Sequence, residues 1–188
     1  MTLGVAKVLI KKEPSSMMYP GTIIDIETIG SFNYNYPKYE AEHYASVIPT
    51  IFGLLTNRSL VQYCAEGTRD IRNLLRKINS VLPILEEPLL ALNCNFEYNV
   101  LSNCNCFVPP NFVDVRGQLL QASKWSIRER YGFPKYDDPF EGDGSLCIFE
   151  WQKGNYEDCL RHNRSCLLIE RDIYEYVRQF DLESKELF

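Results

Sequence analysis

The sequence predicts an α/β fold in which a mixed β-sheet of five strands is flanked by helices. Two observations lead to this prediction. Three β-type runs follow one another across short turns, and an amphipathic helical segment then leads to a short, fully apolar run. Sequential strands joined by short turns pair antiparallel, whereas a strand reached through a helix returns parallel to the first. The order of elements therefore predicts a mixed sheet.

The predicted strands are short and are bounded by turn residues. The first follows Pro20 and Gly21, and the buried fourth strand begins directly after Pro88. Pro109 and Pro110 precede the last one. Runs of four to eight β-forming residues bounded by Gly and Pro are typical of strands. In chain order, we expect strands at residues 22–27, 46–55, 59–64, 89–93 and 112–115.

The helical segments are recognised by the spacing of their apolar residues. In the first of them, Ile71, Leu74 and Ile78 recur at helical spacing, and basic residues lie mostly on the other face. This pattern is typical of an amphipathic helix that covers a sheet. A loop rich in Pro, Asp and Gly is expected at 135–144. The helices are expected at residues 66–80, 95–102, 118–131, 145–151 and 156–180.

Length, composition and charge restrict the class of protein. The chain has 188 residues, of which 45% are hydrophobic and 24% charged, so we expect one domain over residues 1–188. This composition excludes disorder, collagen-like repeats and coiled coils. The formal net charge of −5 argues against non-specific wrapping of duplex nucleic acid. The longest apolar run is too short for a membrane helix, and we expect a cytoplasmic protein without a secretory signal.

The seven cysteines are odd in number, which argues against an extracellular disulfide framework. The tightest group contains Cys94, Cys104 and Cys106, with a single C-x-C pair. A zinc site usually draws on two pairs of the C-x-x-C type, which argues against zinc here. A disulfide through Cys104 or Cys106 is an alternative if the source is a hyperthermophile. We expect most of the cysteines to be buried thiols.

Two acids in the first predicted strand are the first candidate for chemistry. Asp25 and Glu27 are two residues apart, so both side chains project from the same face of the strand. Neighbouring carboxylates on an apolar strand are tolerated when a cation lies between them or when they reach a solvated rim. Spacing alone leaves a metal site and an exposed strand end as equal alternatives.

Three segments, DIETIG, LNCNFEYNVL and HNRSCLLIERDIYEY, resemble the DEDD 3′–5′ exonucleases of the ribonuclease-H-like superfamily. More narrowly, they resemble the small branch related to the proofreading domain of family B DNA polymerases. The resemblance covers residues 19–180 approximately. It implies a ribonuclease-H-like fold and metal-dependent hydrolysis of phosphodiester bonds.

The three motifs of this family are matched to different degrees. The first is matched fully, the second has Glu97 in place of an Asp, and the third has Cys166 in place of an Asp. Glu170 lies one helical turn beyond Cys166 and is our preferred substitute ligand. The matched positions are Asp25 and Glu27 in the first motif, Asn93 and Phe96 in the second, and His162, Asn163 and Arg164 in the third.

The resemblance implies two Mg²⁺ or Mn²⁺ ions, which such enzymes use to activate a water and to neutralise the leaving oxygen. Asp25 would bridge the ions, Glu27 would bind the ion that polarises the water, and Glu97 would support the other ion. His162, on the last helix, would orient or deprotonate the water. The other matched residues are expected to contact the substrate: Asn93, Phe96, Asn163 and Arg164.

The expected substrate is the end of a single strand, with DNA favoured over RNA, and a protein partner in a repair or replication complex is an additional expectation. Aromatic residues after the first motif either stack on bases or pack as a surface loop. An alternative function of another class is a catalytically degenerate nucleic-acid-binding or scaffolding subunit, which Cys166 favours. The aromatic residues are Phe32, Tyr34, Tyr36 and Tyr39.

Overall fold

The structure is a computed structural model that describes residues 7–117, 119 and 122–185, with side chains described as far as residue 180. Within these residues it forms six strands and five α-helices. The strands are β1 Val8–Pro14, β2 Thr22–Ile29, β3 Ile48–Leu55, β4 Ser59–Ala65, β5 Leu89–Ala91 and β6 Phe112–Asp114. The helices are α1 Ile71–Val81, α2 Cys94–Asn103, α3 Lys124–Tyr131, α4 Gly144–Lys153 and α5 Tyr156–Lys185.

The strands form one mixed sheet in the order β1-β4-β3-β2-β5-β6. The pairs β2–β3 and β3–β4 are antiparallel, whereas β5 pairs in parallel with β2 and β6 pairs in parallel with β5. A short turn at residues 56–58 joins β3 and β4, and β5 is reached only after α1. Residues 30–47, which include a 3₁₀ helix at Ala41–Tyr44, join β2 and β3, so the short turn expected between these two strands is wrong. The predicted α/β class and mixed sheet are confirmed.

The predicted number of five strands is wrong, because β1 adds a sixth strand at the edge. It pairs antiparallel with β4 along its whole length, from Val8 opposite Ala65 to Pro14 opposite Ser59. Three apolar residues followed by KKE give no sustained alternation, so the segment carries a weak strand pattern. Charged residues and a terminal proline are common on edge strands because they discourage pairing with other chains.

Most helices lie where their periodicity predicts them, with two exceptions at the helix starts. The first predicted helix begins later, because residues 68–70 form a turn of 3₁₀ helix before α1. Helix α3 begins at Lys124, where the preceding Ser123 hydroxyl accepts a hydrogen bond of 3.2 Å from Ser126 N. Such a cap fixes the first turn of a helix. The predicted start of this helix falls on residues 118, 120 and 121, which lie outside the described residues.

Successive side chains of β2 point to opposite faces of the sheet and join the two parts of the hydrophobic core. Ile24 and Ile26 pack in one cluster with α1, whereas Ile23 packs in the other with α5. Asp25 and Glu27 alternate with Ile24 and Ile26, so they lie on the α5 side. Helix α5 crosses β2, β3 and β4 on that side. Among the described residues, no helix is both long and apolar enough to cross a membrane.

Candidate active site

Most of the predicted site residues line one cleft of about 440 Å³. Its walls come from the end of β2, the start of α2, the start of α3, the loop before α4, and α5. Several elements that are distant in sequence therefore meet at one place. The predicted site residues in the lining are Asp25, Glu27, Asn93, Phe96, Glu97, His162 and Cys166.

The two acids of β2 are buried, so the alternative that they lie at an exposed strand end is wrong. Asp25 and Glu27 are only 4% and 8% exposed. The pairing of β2 with β3 is irregular directly after Glu27, and Thr50 Oγ1 donates a hydrogen bond of 3.2 Å to Glu27 O. Bulges of this kind re-aim side chains and are common beside active sites. Both carboxylates therefore face the cleft from a fixed backbone.

Asp25 is held in place from α5. Asn163 Nδ2 donates hydrogen bonds to Asp25 Oδ2 at 2.7 Å and to Asp25 O at 3.1 Å. Asn163 Oδ1 accepts a hydrogen bond of 2.8 Å from Gln62 Nε2. Gly53 lies between Asp25 and Gln62 in the sheet, and a Cβ there would come within 2.2 Å of Asn163 Oδ1. Asn163 is thus a positioning residue for Asp25, because its buried side chain lies beneath the carboxylate rather than in the cleft.

One face of helix α5 points toward the cleft; its residues His162 and Cys166 line the cleft, whereas Glu170 is fully buried and does not. His162, Cys166 and Glu170 are four residues apart and therefore lie on one helix face. Arg164 is about 200° around the helix from His162 and lies on the opposite side. There its Nε donates a hydrogen bond of 2.7 Å to Glu13 Oε1 on β1. Arg164 therefore does not line this cleft, and its contact with substrate stays a prediction.

Lys124 is a site residue that sequence reasoning missed. Its ammonium donates a hydrogen bond to Asp25 Oδ1 and lies 2.7 Å from Glu170 Oε1. The other Glu170 oxygen accepts a hydrogen bond of 3.1 Å from Leu92 N. Lys124 is the first residue of α3, where the helix dipole disfavours a cation. The sequence predicts this helix to begin at 118 and so places Lys124 inside it, which is why this position gave no signal of a carboxylate partner.

His162 is oriented by Asp138, which the sequence analysis also missed. The His162 Nδ1 atom lies 2.9 Å from Asp138 Oδ1, and two backbone N–H groups of the same loop donate to this carboxylate. The other ring nitrogen, Nε2, lies 3.8 Å from Glu27 Oε1 and 3.8 Å from Cys166 Sγ. The signal for Asp138 was the Asp-rich loop at 135–144, but the sequence could not show which acid meets His162.

The acidic side chains outnumber the cations of the cleft. Burial raises the pKa of Glu27 to about 8, with neighbouring Asp25 adding to the rise. Burial also raises the pKa of Glu170 to about 8, although Lys124 opposes the rise. The pKa of Glu97 is raised well above its ordinary value by burial and then by Glu170, and its Oε2 atom has no hydrogen-bond partner. The cleft thus disfavours the ionised forms of these carboxyl groups, and additional positive charge would stabilise those forms.

The two cationic side chains of the cleft differ in kind. Burial opposes the charge of Lys124, but Asp25 and other acidic neighbours raise its pKa well above the ordinary value. Burial also opposes the charge of His162, whereas Cys166 and Asp138 raise its pKa. An ammonium can only donate hydrogen bonds, whereas an imidazole can exchange its proton for a metal ion.

The cysteine alternatives can be compared with the structure directly. All seven cysteines are free thiols, so the alternative of a disulfide through Cys104 or Cys106 is not realised. The C-x-C group also forms no metal site: within the described residues, one group of three His, Cys, Asp or Glu side chains brings its ligand atoms within 4.8 Å of one another. That group contains Glu27, His162 and Cys166.

Aromatic rings form part of the cleft wall. Phe32, Phe96 and Trp125 line it from three different segments. Phe32 stacks on the His43 ring with centroids 5.3 Å apart, so this ring belongs to a packed cluster. Tyr34 is 81% exposed beside it. The loop after β2 thus contains both packed and exposed rings.

The geometry places a buried acidic group, a histidine and a thiol in one cleft with aromatic walls. Carboxylates and an imidazole that lie this close together can bind divalent cations and transfer protons. No protein-family model, curated protein or solved structure matches the chain.

Proposed function

We propose that the protein is a divalent-metal-dependent 3′–5′ exonuclease that hydrolyses phosphodiester bonds at single-stranded DNA ends. The proposal rests above all on one observation. Four buried carboxyl groups lie close together: Asp25 and Glu27 from β2 and Glu97 from α2 line the cleft, and Glu170 from α5 lies behind it, across Lys124 from Asp25. Buried acids are costly without compensating charge, and such a cluster is typical of a cation site.

The donor set fits Mg²⁺ or Mn²⁺, which prefer carboxylate oxygens. Asp25, Glu27 and Glu97 would hold the ions, and the unpaired Glu97 Oε2 atom is a ligand without another partner. When bound, such ions lower the pKa of a water and neutralise the leaving oxygen. The role of His162 in orienting or deprotonating the water stays a prediction; the ring lines the cleft, with Nε2 directed at Glu27 and Cys166.

The chain's own residues also favour a single-stranded substrate. Asn163 fixes the Asp25 carboxylate, and the rings of Phe32, Phe96 and Trp125 offer faces on which unpaired bases can stack. Aromatic stacking does not depend on the sugar, so RNA is the second substrate to test. A cytoplasmic location, supported by the free thiols, and a partner protein in repair or replication belong to the same proposal.

The test uses a 5′-labelled single-stranded oligonucleotide, as DNA and as RNA, with Mn²⁺, Mg²⁺ or EDTA. We expect a ladder of shortened DNA with either ion and none in EDTA. Mn²⁺ should support the faster reaction, because it accepts irregular ligand sets better than Mg²⁺ does. Asp25→Asn should abolish the ladder, whereas Asp137→Asn, at an exposed acid paired with Arg161, should not. Intact oligonucleotide under every metal condition would contradict the proposal.

A second candidate, a catalytically degenerate subunit that binds nucleic acid or acts as a scaffold, is favoured by Lys124. Its ammonium already compensates Asp25 and Glu170, and Cys166 supplies no hard ligand. Such a protein would bind single-stranded DNA equally in EDTA and in Mn²⁺ and would leave it intact. The oligonucleotide assay, together with a binding measurement, separates the two candidates.

A further inference from the structure

We propose that Glu27, His162 and Cys166 form a binding site for a transition-metal ion of the Zn²⁺ class. The three side chains would supply one oxygen, one nitrogen and one sulfur ligand. This proposal goes beyond the proposed function, because the site can hold such an ion whether or not the cleft cleaves a phosphodiester bond.

The distances between the three ligand atoms fit a tetrahedral ion. His162 Nε2 lies 3.8 Å from Glu27 Oε1 and 3.8 Å from Cys166 Sγ, and all three atoms lie within 4.8 Å of one another. Typical bond lengths to zinc, taken with tetrahedral angles, separate such atoms by about 3.3–3.6 Å. Small rotations of the side chains therefore bring them to bonding distance without movement of the backbone.

The histidine is already oriented as a ligand. Its Nδ1 atom contacts the Asp138 carboxylate at 2.9 Å, which leaves Nε2 directed at Glu27 and Cys166. A carboxylate behind a histidine is the usual arrangement in zinc sites, where it fixes the tautomer and the ring orientation. The Asp138 side chain is itself only 2% exposed and accepts two backbone hydrogen bonds, so this support is rigid.

The chemistry of the donors selects the class of ion. Thiolate and imidazole favour Zn²⁺ and related ions, whereas Mg²⁺ requires oxygen ligands in octahedral geometry. Binding releases the protons of the ligands to solvent. The three side chains line the cleft, so the fourth position of the ion faces open space, as in catalytic zinc sites. An ion on Nε2 excludes His162 from acting as a base.

The test is a titration of the metal-free protein with Co²⁺, which replaces Zn²⁺ and reports sulfur ligation by its absorbance. We expect one equivalent of Co²⁺ to produce a thiolate-to-cobalt charge-transfer band, and Zn²⁺ to displace it. Cys166→Ser should remove the band, whereas Cys106→Ser, at a buried thiol outside the cleft, should retain it. Binding without the band, or a band that survives in Cys166→Ser, would overturn the proposal.

A second variant covers the case in which Cys166→Ser fails to fold. Asp138→Asn retains all three ligands and should weaken Co²⁺ binding by about 10–100-fold, with the charge-transfer band preserved at saturation. The matched control is Asp137→Asn, which alters the neighbouring exposed acid and should bind as the wild type does. Equal affinity in both variants would also overturn the proposal. A protein that shows the band but degrades no oligonucleotide would refute the nuclease and leave this site intact.

Discussion

The buried acids on the two sides of the cleft have different partners for their negative charge. On one side, the Lys124 ammonium lies between Asp25 and Glu170 as a permanent, tethered cation. On the other side, Glu27 faces His162 and Cys166, whose charges depend on the protons they hold. A lysine can only neutralise its neighbours, whereas imidazole and thiol can give up a proton and bind an ion. The His162 side is therefore the part of the cleft to which the proposed exchange of protons for a metal ion belongs.

The largest expected effect comes from removing the tethered cation. In metal-free Lys124→Met, unfolding free energy at pH 9 should fall by about 3–5 kcal/mol, because ionised acids lose their buried partner. At pH 6 the loss should be smaller, since Glu27 and Glu170, whose pKa values are about 8, take up protons. Denaturant titrations at both pH values measure the difference.

The control for this variant is Lys153→Met, at an exposed lysine paired with Glu150. Its stability should change by no more than about 0.5 kcal/mol at either pH. Mn²⁺ should restore part of the stability that Lys124→Met loses, because an ion can bind where the ammonium was. A loss that is equal at pH 6 and pH 9 would contradict the compensating role of Lys124.

The next effect disturbs the support of Asp25 without altering any charge. In Gly53→Ala, the new methyl group would collide with Asn163 Oδ1 at 2.2 Å and with Leu167 Cδ1 at 2.8 Å. Overpacking of this kind costs about 1–3 kcal/mol, and here it also displaces the residue that positions Asp25. We expect lower stability and at least tenfold slower DNA degradation. Unchanged activity would show that Asn163 does not position the carboxylate.

A third change replaces the thiol of Cys166, a soft metal ligand, with a carboxylate, which is a hard one. Cys166→Asp supplies a carboxylate where the resemblance places one, so we expect at least tenfold more nuclease activity with Mg²⁺, or activity where the wild type has none. Tenfold corresponds to about 1.4 kcal/mol of barrier. Added Mn²⁺ should raise the melting temperature of the variant more than that of the wild type. A variant that gains neither nuclease activity nor stabilisation by Mn²⁺ would favour the scaffolding function over the nuclease.

A smaller effect concerns pH in the metal-free protein. The folded-state pKa of Glu27 is about 8 against an ordinary 4.5, so its stabilising contribution is complete below about pH 4.5 and is lost as pH rises through 8. We therefore expect a lower denaturation midpoint at pH 9 than at pH 6 in EDTA, and a smaller difference with Mn²⁺. Glu27→Gln should flatten the dependence. A midpoint that rises toward pH 9 would contradict the burial of an uncompensated acid.

The sequence predicts the framework of the site well, because periodicity and short motifs are local. Strand alternation places Asp25 and Glu27 on one face, and helical spacing brings His162 and Cys166 into register. Strand β1 escapes prediction because its pairing with β4, rather than its own pattern, makes it a strand.

The partners of these residues could not be predicted, since they depend on how distant segments approach. Lys124 reaches Asp25 across 99 positions in sequence, and Asp138 reaches His162 across 24. The hydrogen bond from Asn163 to Asp25 was also not expected, because it depends on the close approach of α5 to Gly53. Such contacts follow from packing, for which a single sequence carries only indirect signals.

The most direct test of the account is diffraction from crystals grown with Mn²⁺, measured at the manganese absorption edge. The account predicts anomalous density in the cleft, within bonding distance of Asp25, Glu27 or Glu97. Well-ordered crystals at saturating Mn²⁺ that show no anomalous density in the cleft, with Lys124 still bridging Asp25 and Glu170, would contradict a metal-dependent active site.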